Sequence, residues 1–160
     1  MAFPQIPNTF PSVGTPPLVF RFSVLFFIGG LAPNPLDTLF QKVSGFEASA
    51  TTEDIPEGGQ NLYTQKVPKG ITYGNLTLER GKVNVSPLSI EFNAAMSLFQ
   101  FRAANVLVTL LDSANLPVSS WLFMKAFPVK WRSSDLDAAA NDLVIETLEL
   151  SYQRFQTISI

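Results

Sequence analysis

The side chains that could do chemistry in this chain are few and poorly placed for it. Glu53, Asp54 and Glu57 form an acidic group that could offer oxygen ligands to a hard cation, but they lack the D-x-[DN]-x-[DN]-G spacing that wraps a loop around Ca²⁺. Asp135, Asp137 and Asp142 read as helix caps and turn formers. Glu146 and Glu149 fall on opposite faces of an extended strand, so they cannot serve together as acid and base from that strand. Gly29-Gly30 and Gly58-Gly59 lack the Gly-rich spacing, following Lys and helix of a phosphate loop. Trp121 and Trp131 could stack on a sugar or a base, yet both sit in aromatic strand sequence that suits core or interface anchoring. The chain has no Cys and no His, which removes disulfides, Cys/His zinc sites, Ser-His-Asp triads and Cys nucleophiles together. No convergent catalytic set, cofactor motif or metal motif is left, and none is expected.

The elements that carry these residues are mostly strands. Residues 1–17 contain five prolines (Pro4, Pro7, Pro11, Pro16 and Pro17) and read as an extended N-terminal arm. Residues 18–160 read as one domain, large enough to bury a core. Strands are expected at about 18–28, 39–50, 71–80, 105–112, 118–127 and 143–155. Turn chemistry at Ala32-Pro33-Asn34-Pro35 separates the first two, and Gly45 marks a bulge or close approach. Residues 51–70 read as a long polar excursion with a tight turn at Gly58-Gly59. Leu76, Leu78 and Arg80 share one strand face, and Thr77 and Glu79 the other. Ser86-Pro87 starts the single substantial helix, about 87–98, whose Leu88, Phe92, Ala95, Met96 and Phe99 form an apolar stripe. The fold class that follows is mainly β, an antiparallel barrel or sandwich of about six or more strands with one helix.

Composition points away from a solitary globule. Charged residues are only 15% of the chain, against about 25% in ordinary soluble domains, while apolar residues reach 46% and include 14 Phe. That excess suggests protein interfaces. A net charge of −2 gives no basic face for specific nucleic-acid binding. The apolar run Val24–Ala32, preceded by Arg21, is too short to span a bilayer, and residues 1–17 hold no Lys or Arg for the charged start of a signal peptide, so neither membrane insertion nor a signal peptide is expected, and synthesis is expected in the cytoplasm.

Five segments taken together resemble a known family. They are Phe40-Gln41-Lys42-Val43-Ser44-Gly45-Phe46, Glu57-Gly58-Gly59-Gln60-Asn61 and Tyr73-Gly74-Asn75-Leu76-Thr77-Leu78-Glu79-Arg80-Gly81, then the corner Ala126-Phe127-Pro128-Val129-Lys130 and the strand Ile145-Glu146-Thr147-Leu148-Glu149-Leu150-Ser151-Tyr152. In this order and spacing they resemble the tail tube proteins of contractile phages and contractile injection systems, a family related in fold to the type VI secretion tube. The resemblance implies hexameric rings that stack into a hollow conduit, with sheath, baseplate or spike and neighbouring tube proteins as partners, and no catalysis. The Pro-rich arm, the insert Leu31–Leu39 and the run Phe99-Gln100-Phe101 into Asn105–Leu111 depart from plain tube members and look more like the paralogue that forms the first, baseplate-proximal ring. Both the repeating tube subunit and the tube initiator stay open on sequence, as does a monomeric β-barrel that binds a small apolar ligand.

Three surfaces follow as expectations. The polar excursion, at Glu57, Gly58, Gly59, Gln60, Asn61 and Lys66, should contact the adjacent subunit or ring. Leu148 and Leu150, on a closing strand apolar on both sides, should lie at a subunit interface, where ring closure pairs each subunit's edge with its neighbour. Thr77, Glu79, Thr147, Glu149 and Ser151 should face the channel, where short polar side chains keep a wall wet.

Overall fold

The computed structural model describes residues 21–29, 37, 39–83, 86–139 and 142–159. The Pro-rich arm, Gly30 and most of the insert Leu31–Leu39 lie outside them. In chain order the elements are β1 (Phe22–Ile28), β2 (Lys42–Ser44), β3 (Ala48–Ile55), β4 (Gln65–Tyr73), β5 (Leu76–Gly81), α1 (Pro87–Leu98), β6 (Ala104–Leu111), β7 (Pro117–Ser133), β8 (Ile145–Ser151) and β9 (Arg154–Ser159). The fold is mainly β, with one helix among the described residues, and every strand pair is antiparallel.

One long strand organises the body. The main strand path runs β1-β6-β7-β8-β5-β2, with β9 also paired to β7. The first half of β7 lies between β6 and β9, and its second half pairs with β8. Two sheets therefore share β7 and fold over each other. Val24, Val106, Val108 and Phe123 from one sheet meet Leu76, Leu78, Leu148 and Leu150 from the other in a single core. Alternation along β5 and β8 puts these leucines inside and leaves Thr77, Glu79, Thr147, Glu149 and Ser151 on the opposite face.

The sequence predicts that Pro128 ends the fifth strand, and the structure corrects this. β7 continues to Ser133, because Pro128 sits beside a register shift where its missing N–H costs no ladder bond. The change of sheet is made just before it. Lys125 takes a left-handed conformation (φ 50), and its N–H, freed by the shift opposite, donates to Asn105 Oδ1 at 3.1 Å.

Three other expected strands are each split in two, and the breaks fall at one place. The expected strand 39–50 breaks at Gly45, 71–80 at Gly74-Asn75, and 143–155 at Tyr152-Gln153. Gly45 has φ +95, and a Cβ there would overlap the Asn75 carbonyl, so only glycine fits. The Tyr152 hydroxyl donates to the Gly45 carbonyl at 3.2 Å, and Gly74 N–H donates to the Glu47 carbonyl at 3.2 Å. Beyond this line β8 crosses into β9 of the other sheet, and β2 and β5 give way to β3 and β4.

The helix follows its sequence signals. Ser86 caps it by accepting from Ser89 N–H at 3.1 Å, Pro87 occupies the first turn, and Leu88, Phe92 and Ala95 are buried. Met96 and Phe99 leave the expected stripe. The helix ends at Leu98, and Phe99 (φ 55) turns out into solvent at 84% exposure.

A buried ionic cluster fastens the helix start to the second sheet. Arg80 is 1% exposed, and its guanidinium reaches Asp37 Oδ1 (3.2 Å), Glu146 Oε2 (3.4 Å), Ser86 Oγ (2.9 Å) and Ser89 Oγ (2.7 Å). Asp37 also accepts from Leu88 N–H at 3.2 Å. The Phe40 ring lies 5.7 Å from the guanidinium carbon. Every buried side-chain nitrogen and oxygen among the described residues is hydrogen-bonded, which is the condition for burying such a cluster without a large penalty.

Candidate assembly surfaces

The expected polar excursion is a β-hairpin. β3 and β4 pair from Ala48↔Tyr73 out to Ile55↔Gln65, with one bulge at Thr51/Thr52. The hairpin turns at Glu57-Gly58-Gly59-Gln60, where Gln60 N–H donates to the Glu57 carbonyl at 3.2 Å and Gly59 takes φ +91. Positive φ at the third turn position is what Gly supplies in a type II turn. A two-residue glycine turn was legible in sequence; the strands flanking it were hidden by their polar composition.

All of β3, and all of β4 except Tyr73, is exposed. A two-stranded hairpin in water is marginal by itself. This one is held at its root. Tyr73 packs against the Tyr152 and Phe155 rings at centroid distances of 5.8 and 5.7 Å, and Tyr152 and Phe155 pack on Phe123 in the core. Burial pushes the Tyr152 phenol up from its ordinary pKa, with the neighbouring Tyr73 adding to the shift, so the phenol stays a neutral donor.

Up to the bulge, cross-strand partners share a face and alternate residues change face. The side that Tyr73 presents to the aromatic cluster continues through Ala48, Ala50 and Ile71. Ile71 is 63% exposed there. The other side carries Ser49, Thr51, Gly70 and Thr72, with Thr51 Oγ1 donating to the Gly70 carbonyl at 3.2 Å and Thr72 Oγ1 to the Ser49 carbonyl at 3.3 Å. The hairpin is amphipathic, and none of the described residues covers its apolar side.

Two acidic residues of the ladder stand beside basic ones. Glu53 pairs with Lys69 at 3.5 Å, and Asp54 stands opposite Lys66. Among the described residues no group of three or more acidic side chains converges as a metal site. Glu57, Gly58, Gly59, Gln60 and Asn61 form the far end of the hairpin, and Lys66 stands near it on β4.

Leu148 and Leu150 are not on a subunit surface. They are 1% and 2% exposed in the core, and β8 lies between β5 and β7 rather than at an edge. The sequence reading credits this strand with apolar weight on both sides, but Leu143 precedes the strand and stands 78% exposed. The buried side is Glu146, Leu148 and Leu150; the outer side is polar from Thr147 onward. A charge at either leucine would break the core before it could report on assembly.

Thr77, Glu79, Thr147, Glu149 and Ser151 do share one face, turned away from the core and α1. Lys42 pairs with its register partner Glu79 at 3.3 Å, and Lys130 with its register partner Glu149 at 3.1 Å. The result is a polar sheet face whose charges are largely matched across strands.

Two features escape the sequence reading. Phe99, Phe101 and Phe127 form an exposed edge-to-face row, with ring centroids 5.0 and 6.2 Å apart. The Arg80–Glu146 pair was within reach of the sequence, since each alternates with two buried leucines on an apolar strand face. Trp121 packs edge-on against Phe46 at 5.1 Å, and Trp131 is half-exposed at the end of β7. Beneath α1 the space between the sheets is about 20 Å³, room for one water.

Among the described residues no helix is long and apolar enough to cross a membrane. A comparison with curated protein sequences finds no match. Solved structures do match. A chain in the anti-feeding prophage baseplate, described as 6-fold symmetrised, is 37% identical over 91% of this chain and 97% of its own, with TM-score 0.82. A chain in the sheath-tube complex of the PVC extracellular contractile injection system is 26% identical over 92% and 95%, with TM-score 0.77. Hcp1 from Flavobacterium johnsoniae, at 14% identity over 84% and 94% and TM-score 0.54, shares the fold. The family model of the T4-like virus tail tube protein gp19 matches residues 18–156, nearly the whole chain. On that match, and on a β fold with one helix shared with tube proteins of contractile injection systems, the chain belongs to the T4-like tail tube family.

Proposed function

We infer that this protein is a structural subunit of the inner tube of a contractile injection system or contractile phage tail, closing into hexameric rings that stack into a conduit. The observation that carries this reading is the β3–β4 hairpin. An amphipathic ribbon with an uncovered apolar side is costly for a monomer, while its root is fixed by half-buried Tyr73, buried Tyr152 and a close glycine contact. The body holds the hairpin out for a second copy of the chain to cover. Laid on the neighbour by its Ala48, Ala50 and Ile71 side, the hairpin would turn Ser49, Thr51 and Thr72 the other way, beside the polar face of Thr77, Glu79, Thr147, Glu149 and Ser151. That continuous small-polar surface is the proposed channel wall. The far end, at Glu57 to Asn61, is then placed to meet the next ring.

Within the assembly, a baseplate-proximal position is favoured. The identity to the chain from the anti-feeding prophage baseplate is 37%, against 26% for the chain from the PVC sheath-tube complex. The partners of such a ring are baseplate components on one side and tube subunits on the other, with sheath outside. Light scattering coupled to size exclusion, followed by negative-stain imaging, tests the reading. Sixfold rings of about six times the 17.6 kDa chain mass are expected. A species that stays monomeric at all concentrations contradicts it.

A further inference from the structure

The two ends of the main strand path, β1 and β2, leave a seam in the body. At one end of the seam the Phe26 and Phe40 rings close it, with centroids 6.0 Å apart. At the other it opens into an apolar cavity of about 250 Å³ lined by Phe22, Val43, Phe46, Val108, Leu110 and Trp121. No charged side chain lines it. At this size it falls below the range of about 300–1,000 Å³ usual for small-molecule pockets. Its shape class is an aromatic-lined groove between two strand edges, the kind of surface that receives an extended Pro-rich segment.

The chain itself carries such a segment. Residues 1–20 contain no Asp, Glu, Lys or Arg side chain, and Pro4-x-x-Pro7 and Pro11 are interleaved with Phe3, Ile6 and Phe10. Each proline fixes φ near −65° and removes freedom that docking would otherwise have to freeze. We propose that the Pro-rich arm of one subunit, through residues 3–11, docks in the β1/β2 seam cavity of the neighbouring subunit and locks adjacent subunits together.

Reach argues for the neighbour rather than the arm's own body. The arm enters β1 at the rim of its own cavity, where the Arg21 carbonyl accepts from Leu111 N–H at 3.0 Å and the guanidinium donates to Asn115 Oδ1 at 3.0 Å. Pro4 to Pro11 stand ten to seventeen residues before Arg21. At about 3.1 Å per residue in a polyproline conformation they lie roughly 30–50 Å away, beyond the radius of gyration of about 15 Å of a domain this size. An arm held extended would pass its own seam and come within reach of the next one.

This inference rests on the ring reading above, and its test separates the two. The chain has no Cys, so an engineered pair is the only thiol pair present. Full-length Ile6→Cys/Val43→Cys and Phe10→Cys/Val43→Cys proteins are oxidised under conditions where ring formation is followed in parallel by light scattering. A ladder of covalent dimers up to hexamers on denaturing gels is expected for at least one pair, with single-Cys controls giving no species above dimer. In a Trp131→Phe background, where Trp121 is the remaining tryptophan, Phe10→Asp should shift its emission to longer wavelength. An intrachain disulfide without a ladder would overturn docking in the neighbour. Rings that form with neither crosslink nor emission shift would overturn the docking and leave the ring reading intact. Monomers throughout would overturn both.

Discussion

The body of the protein and its β3–β4 hairpin are built from the same chain by opposite rules. In the body, Leu76, Leu78, Leu148, Leu150, Phe92 and Phe123 are sealed between two sheets and a helix, and even the charges of Arg80, Asp37 and Glu146 are buried and paired. In the hairpin, eight residues of β3 and eight of the nine in β4 are exposed, ion pairs are at the surface, and the apolar side is bare. Each region suits a different free-energy source. The body must fold alone, so its stability comes from burial within one chain. On the proposed ring reading the hairpin gains its burial from another copy, which couples its ordering to assembly. The root joins the two regimes, with Tyr152 in the core holding the Gly45 carbonyl at the point where the chain leaves it.

That contrast can be broken most forcefully from the body side. Arg80→Ala should strip two buried carboxylates of their countercharge and cost about 3–5 kcal/mol, seen as a fall in the midpoint of urea unfolding. Helix and fold should be lost with it, and assembly only as a consequence. Phe92→Ala, opening a hole under the helix at a residue 2% exposed, should cost about 3–5 kcal/mol in the same measurement. Leu148→Asp belongs with these as a folding variant.

The root should give an intermediate effect. Tyr152→Phe keeps the ring stack and removes the hydroxyl, for a loss of about 1 kcal/mol. The pH dependence has a definite sign. The phenol's pKa is raised in the fold above its ordinary value of about 10, so the folded state holds the proton more tightly. Stability from this group is whole below pH 10 and is lost as pH rises through the folded value. Wild type should therefore weaken in alkali by an increment that Tyr152→Phe lacks, measured by denaturant unfolding across that range. Equal alkaline loss in both proteins would remove Tyr152 from the account.

The smallest effect on the folded monomer should come from the hairpin tip. Deleting Glu57–Gln60 should change unfolding free energy by no more than about 0.5 kcal/mol, since these residues lie at the hairpin tip, away from the core of the described residues. Stacking of rings should nonetheless fail, with single rings replacing tubes or stacked pairs in negative stain.

How far the sequence could be read differs between the same two regions. Helix α1 was legible to the residue because Ser86-Pro87 and the Leu88, Phe92, Ala95 spacing are local signals. The faces of β5 were legible because period-2 alternation is local too. The ends of β2, β5 and β8 were not, because they are set by contacts distant in sequence: Gly45 against the Asn75 carbonyl, Gly74 N–H on the Glu47 carbonyl and the Tyr152 hydroxyl on the Gly45 carbonyl. β7 runs on past Pro128 because a bulge absorbs the proline, which depends on register with β8. The hairpin was hidden for another reason. A ribbon that has no core of its own has no need of apolar alternation, so Thr51-Thr52-Glu53-Asp54 looks like a loop. The sequence alone points Leu148 and Leu150 to an interface because strand order, which decides what is an edge, is not written in any one segment.

The central claim is that the bare side of the hairpin carries the assembly energy while the body carries the fold. Ala50→Asp/Ile71→Asp puts two charges on that side without touching the core. Light scattering on this variant and on wild type at matched concentration, with thermal unfolding as the control, is the direct measurement. The account predicts sixfold rings for wild type and folded monomers of unchanged Tm for the variant. Rings of the same mass and stability in both proteins would contradict it.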